Sequence, residues 1–130
     1  MTQRIFVYGT LKRGCSNAHY MTGQRFVAEA TTEPLYRMVN CGGFPGLIDA
    51  EVGQGLSIQG ELWDIDETGR TRLDILEDVG VGMYELRPIE IAQNVDNKHI
   101  SSYFYAWSVN GLLDAGICWD EICNLLKGPR

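Results

Sequence analysis

Two stretches of this sequence carry residue types that could do chemistry together. Arg4-Ile5-Phe6-Val7-Tyr8-Gly9-Thr10-Leu11-Lys12-Arg13-Gly14 is a short apolar run that ends abruptly in a glycine turn, and Leu73-Asp74-Ile75-Leu76-Glu77-Asp78 sets a glutamate behind two leucines. A strand that stops at Gly9 leaves backbone N–H groups without ladder partners. A turn can aim them at a carboxylate, a phosphate or a developing oxyanion. Glu77 stands one position after Leu76 and four after Leu73, so it can lie along the buried side of a helix near its end. Apolar surroundings and the negative end of the helix dipole would then raise its pKa above the ~4.3 of an exposed glutamate, which suits a base working near neutral pH. The plain alternatives are a strand-end turn and a solvated helix terminus, because most glutamates are surface residues.

The rival chemistries are weaker. Gly9 to Gly14 has the spacing of the first part of a phosphate-binding loop, but Cys15 stands where its lysine belongs, and a nucleotide site without that lysine loses most of its charge complementarity. Asp74, with Arg70 four residues before it, and Asp78, in the fraying helix end, read as surface charges. Glu61, beside Gly60 and on the face opposite Leu62, is either a second buried acid or an outward-facing one. Tyr84, Arg87, Tyr103 and Tyr105 offer hydroxyl and guanidinium donors to a pocket, although aromatic strand faces are more often core. His19 and His99 have no partner at catalytic spacing. No Gly-x-Ser-x-Gly elbow occurs, which disfavours a serine hydrolase.

The elements that must position these residues are mostly strands. Ile5 to Tyr8 are β-branched or aromatic and too few for a helix, so they predict a strand buried on both faces. Ser16 to Gly23 predicts one helical turn with Ser16 as N-cap. Gln24 to Thr32 and Leu35 to Val39 predict strands, and Cys41-Gly42-Gly43-Phe44-Pro45-Gly46 a turn segment. Gly46 to Ala50 and Leu56 to Ile65 flank Glu51-Val52-Gly53-Gln54-Gly55 and predict a hairpin, with Leu56, Ile58 and Leu62 on one face. A helix follows over Glu67 to Asp78, started by Asp64 or Asp66 and ended by Gly80 and Gly82, with Leu73, Leu76 and Val79 on one side. Tyr84 to Gln93 and His99 to Trp107 predict a second hairpin around Asn94 to Asn97. Pro88 marks an edge or a bulge there, and Tyr103, Tyr105 and Trp107 share a face opposite Phe104 and Ala106. A final helix is predicted around Cys118 to Leu126. Strands joined by short turns, with a helix inserted, predict an α+β fold: a small mixed β-barrel with short flanking helices.

At 130 residues the chain fits a single domain over 1–130, and 45% hydrophobic with 22% charged residues is ordinary for a globular protein. The net charge of −6, from 11 Lys and Arg against 17 Asp and Glu, argues against sequence-independent binding to nucleic acid or to anionic membranes and favours a small-molecule ligand. No run approaches the ~18 apolar residues a membrane span needs, and the N-terminus does not predict a signal peptide. Cys15, Cys41, Cys118 and Cys123 form no C-x-x-C pair and have no histidine at zinc-ligand spacing, so no metal site is expected. They predict reduced thiols and a cytoplasmic, reducing location.

Val7-Tyr8-Gly9-Thr10-Leu11, Phe44-Pro45-Gly46, Gly60-Glu61-Leu62-Trp63 and Leu73-Asp74-x-x-Glu77 with Tyr84-x-x-Arg87 together resemble the γ-glutamylcyclotransferase-like superfamily. Within it the likeness is greatest to γ-glutamylamine cyclotransferases and related aminoglycoside-pathway deacylases. It extends from Arg4 to about Trp107. The resemblance implies a small mixed barrel and an enzyme without metal or organic cofactor that releases 5-oxoproline by letting the substrate's α-amine attack its own γ-glutamyl carbonyl. It implies that Tyr8, Gly9, Thr10 and Leu11 hold the γ-glutamyl moiety, that Glu77 is general base and then acid, and that Tyr84 and Tyr105 line the cavity. Arg87 is expected nearby without an assigned role. A cavity without turnover would make the chain a small-molecule binding domain instead. An exposed patch of the tyrosines and Trp107 would make it an interaction module.

Overall fold

A computed structural model describes residues 2–92 and 99–119. Its strands are β1 (Gln3–Val7), β2 (Arg25–Thr31), β3 (Tyr36–Asn40), β4 (Pro45–Asp49), β5 (Gln59–Ile65), β6 (Tyr84–Pro88), β7 (Ile100–Tyr105) and β8 (Leu113–Asp114). One α-helix, α1 (Glu67–Leu76), and short 3-10 turns at Ala18–Met21 and Val79–Val81 complete the order. β1 lies between β5, antiparallel, and β7, parallel. β2 continues the sheet beyond β5, and β6 pairs with the far edge of β7. The bridge Thr32↔Ile91, with Glu33 N–H to Glu90 O at 2.9 Å and Ala92 N–H to Thr31 O at 2.9 Å, ties the end of β2 to the chain after β6. The sheet therefore curls into a small, incompletely closed mixed barrel with its helix outside, the α+β architecture expected.

Side chains of β1 alternate between two cores, as a strand covered on both faces must. Phe6 and Tyr8 pack inside the barrel with Met38, Leu47, Leu62 and Phe104. Ile5 and Val7 point the other way, into a layer with Leu11, Leu73 and Tyr103 that carries α1. Leu73 is fully buried, a contribution of roughly 1.5–3 kcal/mol for a side chain of its size. Asp66, not Asp64, caps α1 by accepting the N–H of Gly69 at 2.8 Å.

Several expectations need correction. β4 and β5 do not form a hairpin. β4 pairs with β3, and Gly42 and Gly43, at φ 104 and 106, allow the tight turn between them. The Glu51 to Gly55 turn instead lays Leu56 back beside Tyr36. α1 ends at Leu76 rather than Asp78, because Asp78 itself adopts the left-handed conformation, φ 51, ahead of the glycines. Asn17, not Ser16, precedes the 3-10 turn, and its side chain goes elsewhere. Trp107 lies beyond the end of β7 and is 48% exposed. The turn at Asn94 to Asn97 and the helix expected from Cys118 to Leu126, beyond Trp119, fall outside the described residues. No helix among the described residues is long and apolar enough to cross a membrane.

Candidate active site

The site opens where the sheet forks. β7 pairs with β1 as far as Ser102, and from Phe104 onward β4 takes the same edge. At the fork the Tyr8 hydroxyl stands in for a ladder bond: it donates to Tyr103 O at 2.7 Å and accepts the Leu47 N–H at 3.0 Å. Ser102 Oγ donates to Phe6 O at 2.7 Å, finishing the β1 side. Gly9 follows directly, and its backbone is not in the left-handed region. Glycine is required there for close approach, since a Cβ would sit 2.6 Å from Pro45 Cγ. Gly9 and Pro45 thus clasp the end of β1 to the start of β4. A cavity of about 280 Å³ opens beside them, walled by Gly9 to Leu11, Phe44, Leu76 to Asp78, Tyr84 and Tyr103.

The loop after β1 is tied through its carbonyls. Gly9 O accepts Lys12 N–H at 3.2 Å, Thr10 O accepts Asn17 N–H at 2.9 Å, and Asn17 Nδ2 donates to Thr10 Oγ1 at 2.9 Å. Among the described residues, no acceptor takes the N–H of Gly9, Thr10 or Leu11. Three consecutive cavity-wall residues thus keep unspent backbone donors, the raw material of an amide cradle for an anion or an oxyanion.

Glu77 forms the C-cap of α1 and faces the same cavity. Its own N–H bonds back to Leu73 O at 2.9 Å, which fixes the residue without engaging its side chain. Burial, and secondarily the charge of Asp78, push its carboxyl up from the ordinary 4.5 to about 7. The charge of Glu77 is felt by Tyr8, Tyr84 and Tyr103, whose phenols are held above their usual range chiefly by burial. All three hydroxyls are spent elsewhere: Tyr8 at the fork, Tyr84 on Pro45 O at 2.6 Å, and Tyr103 on Asp74 Oδ1 at 2.6 Å. The Glu77 carboxyl is therefore left with no hydrogen bond or ion pair among the described residues. An acid in that state can accept and return a proton near neutral pH.

The structure brings Tyr8, Gly9, Thr10, Leu11, Glu77 and Tyr84 to one cavity. Tyr105 is not on its wall. It shares a face of β7 with Tyr103 but lies past the fork, packed edge-on against Tyr84 with ring centroids 5.5 Å apart. Arg87 is also away from the cavity, bonded to Asp49 Oδ2 at 2.6 Å and stacked over Phe104. Asp74 pairs with Arg70 at 3.0 Å as expected, yet its Tyr103 bond makes it a support of the cavity wall rather than a simple surface charge. Glu61 is the buried acid of its two alternatives, 6% exposed. Tyr103, one of the four donors the sequence offered to a pocket, is on the wall, and so is Asp78, which read as a surface charge; Asn17 is there too and carried no signal, because its partner Thr10 is met only when the loop folds. Cys15, Cys41 and Cys118 form no disulfide among the described residues, and Cys123 lies outside them. Among the described residues, no three His, Cys, Asp or Glu side chains gather as metal ligands.

A family model described as "Gamma-glutamyl cyclotransferase, AIG2-like" matches residues 5–121. A Vibrio cholerae protein, provisionally named a gamma-glutamylcyclotransferase, is 34% identical over 116 residues, spanning 89% of this chain and 95% of its own length. The gamma-glutamylaminecyclotransferase A of Danio rerio is 38% identical over 81 residues, 57% of this chain and 50% of that protein. Among solved structures, an AIG2-like protein from mouse superposes with a TM-score of 0.66 at 27% identity, covering 82% of this chain and 78% of that one. The forked barrel, the amide cradle after β1 and a match running through both it and Glu77 lead to one statement of kinship: the chain belongs to the gamma-glutamyl cyclotransferase, AIG2-like family.

Proposed function

We propose that the chain is an intramolecular cyclotransferase that releases 5-oxoproline from a γ-glutamyl amine, with Glu77 as general base and then general acid. The observation that carries this reading is the unengaged Glu77 carboxyl, raised to about 7, on the same cavity as the Gly9 to Leu11 amides. The substrate's α-amine is tethered to the carbonyl it attacks, so the protein gains most by folding the γ-glutamyl chain into a five-membered near-attack geometry. Glu77 takes a proton from the α-ammonium. The freed nitrogen bonds to the carbonyl carbon of the γ-glutamyl amide, and the carbonyl electrons move onto an oxygen stabilised by the cradle, at ~3 kcal/mol per donor. Glu77 returns its proton to the departing nitrogen as the original amide C–N bond breaks, and the ring nitrogen sheds its one remaining extra proton, which the released amine takes up as an ammonium. The products are 5-oxoproline and a free amine; no water, oxidant or side-chain nucleophile enters.

The wall also bears on the leaving group. Among the described residues it carries two acids, Glu77 and Asp78, and no Lys or Arg. A second carboxylate, as in a γ-glutamyl peptide, would meet Asp78 with no cation among the described wall residues. Phe44, Leu76 and Met83 offer an apolar wall to an alkyl chain. An amine leaving group, neutral or carrying a further positive charge, fits best, in keeping with the name of the zebrafish relative. The alternative, a binding domain on the same cavity, gives no reason to keep a desolvated acid without partners.

Mass spectrometry of a panel of γ-glutamyl amines and peptides tests the reading. The chain should form 5-oxoproline from the amines, and Glu77→Gln should stay folded and lose ~10³-fold in kcat, within the range for a general base. A folded Glu77→Gln variant with undiminished turnover would remove the mechanism. Ligand uptake by the native chain without turnover of any substrate would favour the binding domain.

A further inference from the structure

The face of the Gly9 to Arg13 loop turned away from the cavity holds the second buried acid. Glu61 sits on β5 directly opposite Val7, two residues before the cradle begins. Gly60 lets β5 come this close, because a Cβ there would lie 2.4 Å from Val7 O. The Glu61 carboxylate is fully engaged. Oε1 accepts the backbone N–H of Arg13 at 3.0 Å and the indole N–H of Trp63 at 3.1 Å, and Oε2 accepts Arg13 Nε at 3.0 Å. Arg13 is pinned further, its guanidinium lying over the Phe26 ring at 3.6 Å and reaching the exposed Glu29 at 3.5 Å. Glu61 does not line the 280 Å³ cavity; it borders a separate hollow on the other side of the loop, together with Lys12, Arg13 and Cys15.

The cradle is therefore held at both ends and along its carbonyls. Its start is fixed by β1 and the Gly9 to Pro45 contact, its middle by Asn17, and its far end by Glu61 gripping Arg13. A carboxylate that accepts a backbone N–H sets the path of the chain more directly than an ion pair between side chains. Donors act on a developing oxyanion only if they are already aimed at it, and a displacement of ~1 Å can cost ~10²-fold in rate.

We propose that Glu61 is a positioning residue: by holding the backbone of Arg13 from behind, it aims the Gly9 to Leu11 amides into the cavity. It acts through the loop and touches no reacting atom. The proposal rests on the cyclotransferase reading for its kinetic consequence, but not for its structural one.

Two readouts on Glu61→Gln, with Glu29→Gln as control, separate positioning from plain stabilisation. Kinetically, Glu61→Gln should lower kcat at least tenfold in fully folded protein. The acid limb of the pH profile should stay near 7, because nothing around Glu77 changes. Glu29→Gln should leave both unaltered. By hydrogen exchange, the amides of Gly9 to Arg13 should exchange at least tenfold faster in Glu61→Gln, with those of β1 and β5 unchanged. If the glutamine variant does not fold, Glu61→Asp, which keeps the charge but cannot span Arg13 and Trp63 together, carries the same readouts. Loop exchange equal to the native chain overturns the proposal, as does a variant that loses thermal stability with kcat intact. A native chain inert on every γ-glutamyl substrate would contradict the cyclotransferase reading alone; the exchange comparison would still decide this one.

Discussion

Glu61, buried, and Glu77, partly buried, stand on either side of one loop, and they differ in what surrounds them. Glu61 accepts three hydrogen bonds, from the Arg13 backbone, the Arg13 side chain and Trp63. Glu77 accepts none among the described residues, because the three phenols nearest in charge have been committed to Tyr103 O, Pro45 O and Asp74. A buried acid with a full set of donors is a structural strut, since desolvation is offset bond by bond. One without them keeps its desolvation cost and is left able to move a proton. The difference lies not in residue type but in whether the neighbouring donors have already been used.

Stability should part the two acids in opposite directions. The Glu77 carboxyl holds its proton up to about pH 7 when folded, against an ordinary value of 4.5. Between those values the native state binds more protons than the unfolded one, so the contribution of Glu77 to stability falls as pH rises, by roughly 3 kcal/mol once both are passed. Glu77→Gln carries no such penalty. It should melt above the native chain at about pH 8, with the gap closing by about pH 5. Glu61→Gln leaves donors short of an acceptor and should melt below the native chain at both, by about 2 kcal/mol. Calorimetry at the two pH values checks this; a Glu77→Gln variant less stable at about pH 8 would mean that its carboxyl has partners after all.

A smaller effect is expected at the cavity mouth. Asp78→Asn removes an exposed charge, worth ~1 kcal/mol or less to a ligand. Rates on a γ-glutamyl amine bearing a second ammonium, relative to a γ-glutamyl peptide, should fall about threefold. An unchanged ratio would place the selectivity elsewhere on the wall.

What the sequence reveals of this arrangement follows from how local each cause is. Leu73, Leu76 and Glu77 are related by helix geometry within one turn, so their shared side is readable without the fold. The cradle is likewise local, although Gly9 is needed for its contact with Pro45 and not for a left-handed turn. The partner of β4 is not readable, because Gly46 to Ala50 alternates equally well for a hairpin with β5 as for its real place beside β3 and β7. Tyr105 is misjudged for the same reason. Period-two alternation puts it with Tyr103, but β4 pairs alongside β7 there, with a Cβ on Gly46 falling 2.7 Å from Tyr105 Cβ, so the fork leaves one tyrosine on the cavity and packs the other against β4. Burial of Glu61 was open in the sequence because its partner Arg13 is 48 residues away.

The pH dependence of kcat/KM for 5-oxoproline release tests the role of Glu77 most directly. A single ionisation near pH 7 should govern the acid limb, with activity rising as Glu77 loses its proton. An acid limb near the ordinary 4.5 of a solvated glutamate, or a rate flat across the neutral range, would contradict the account.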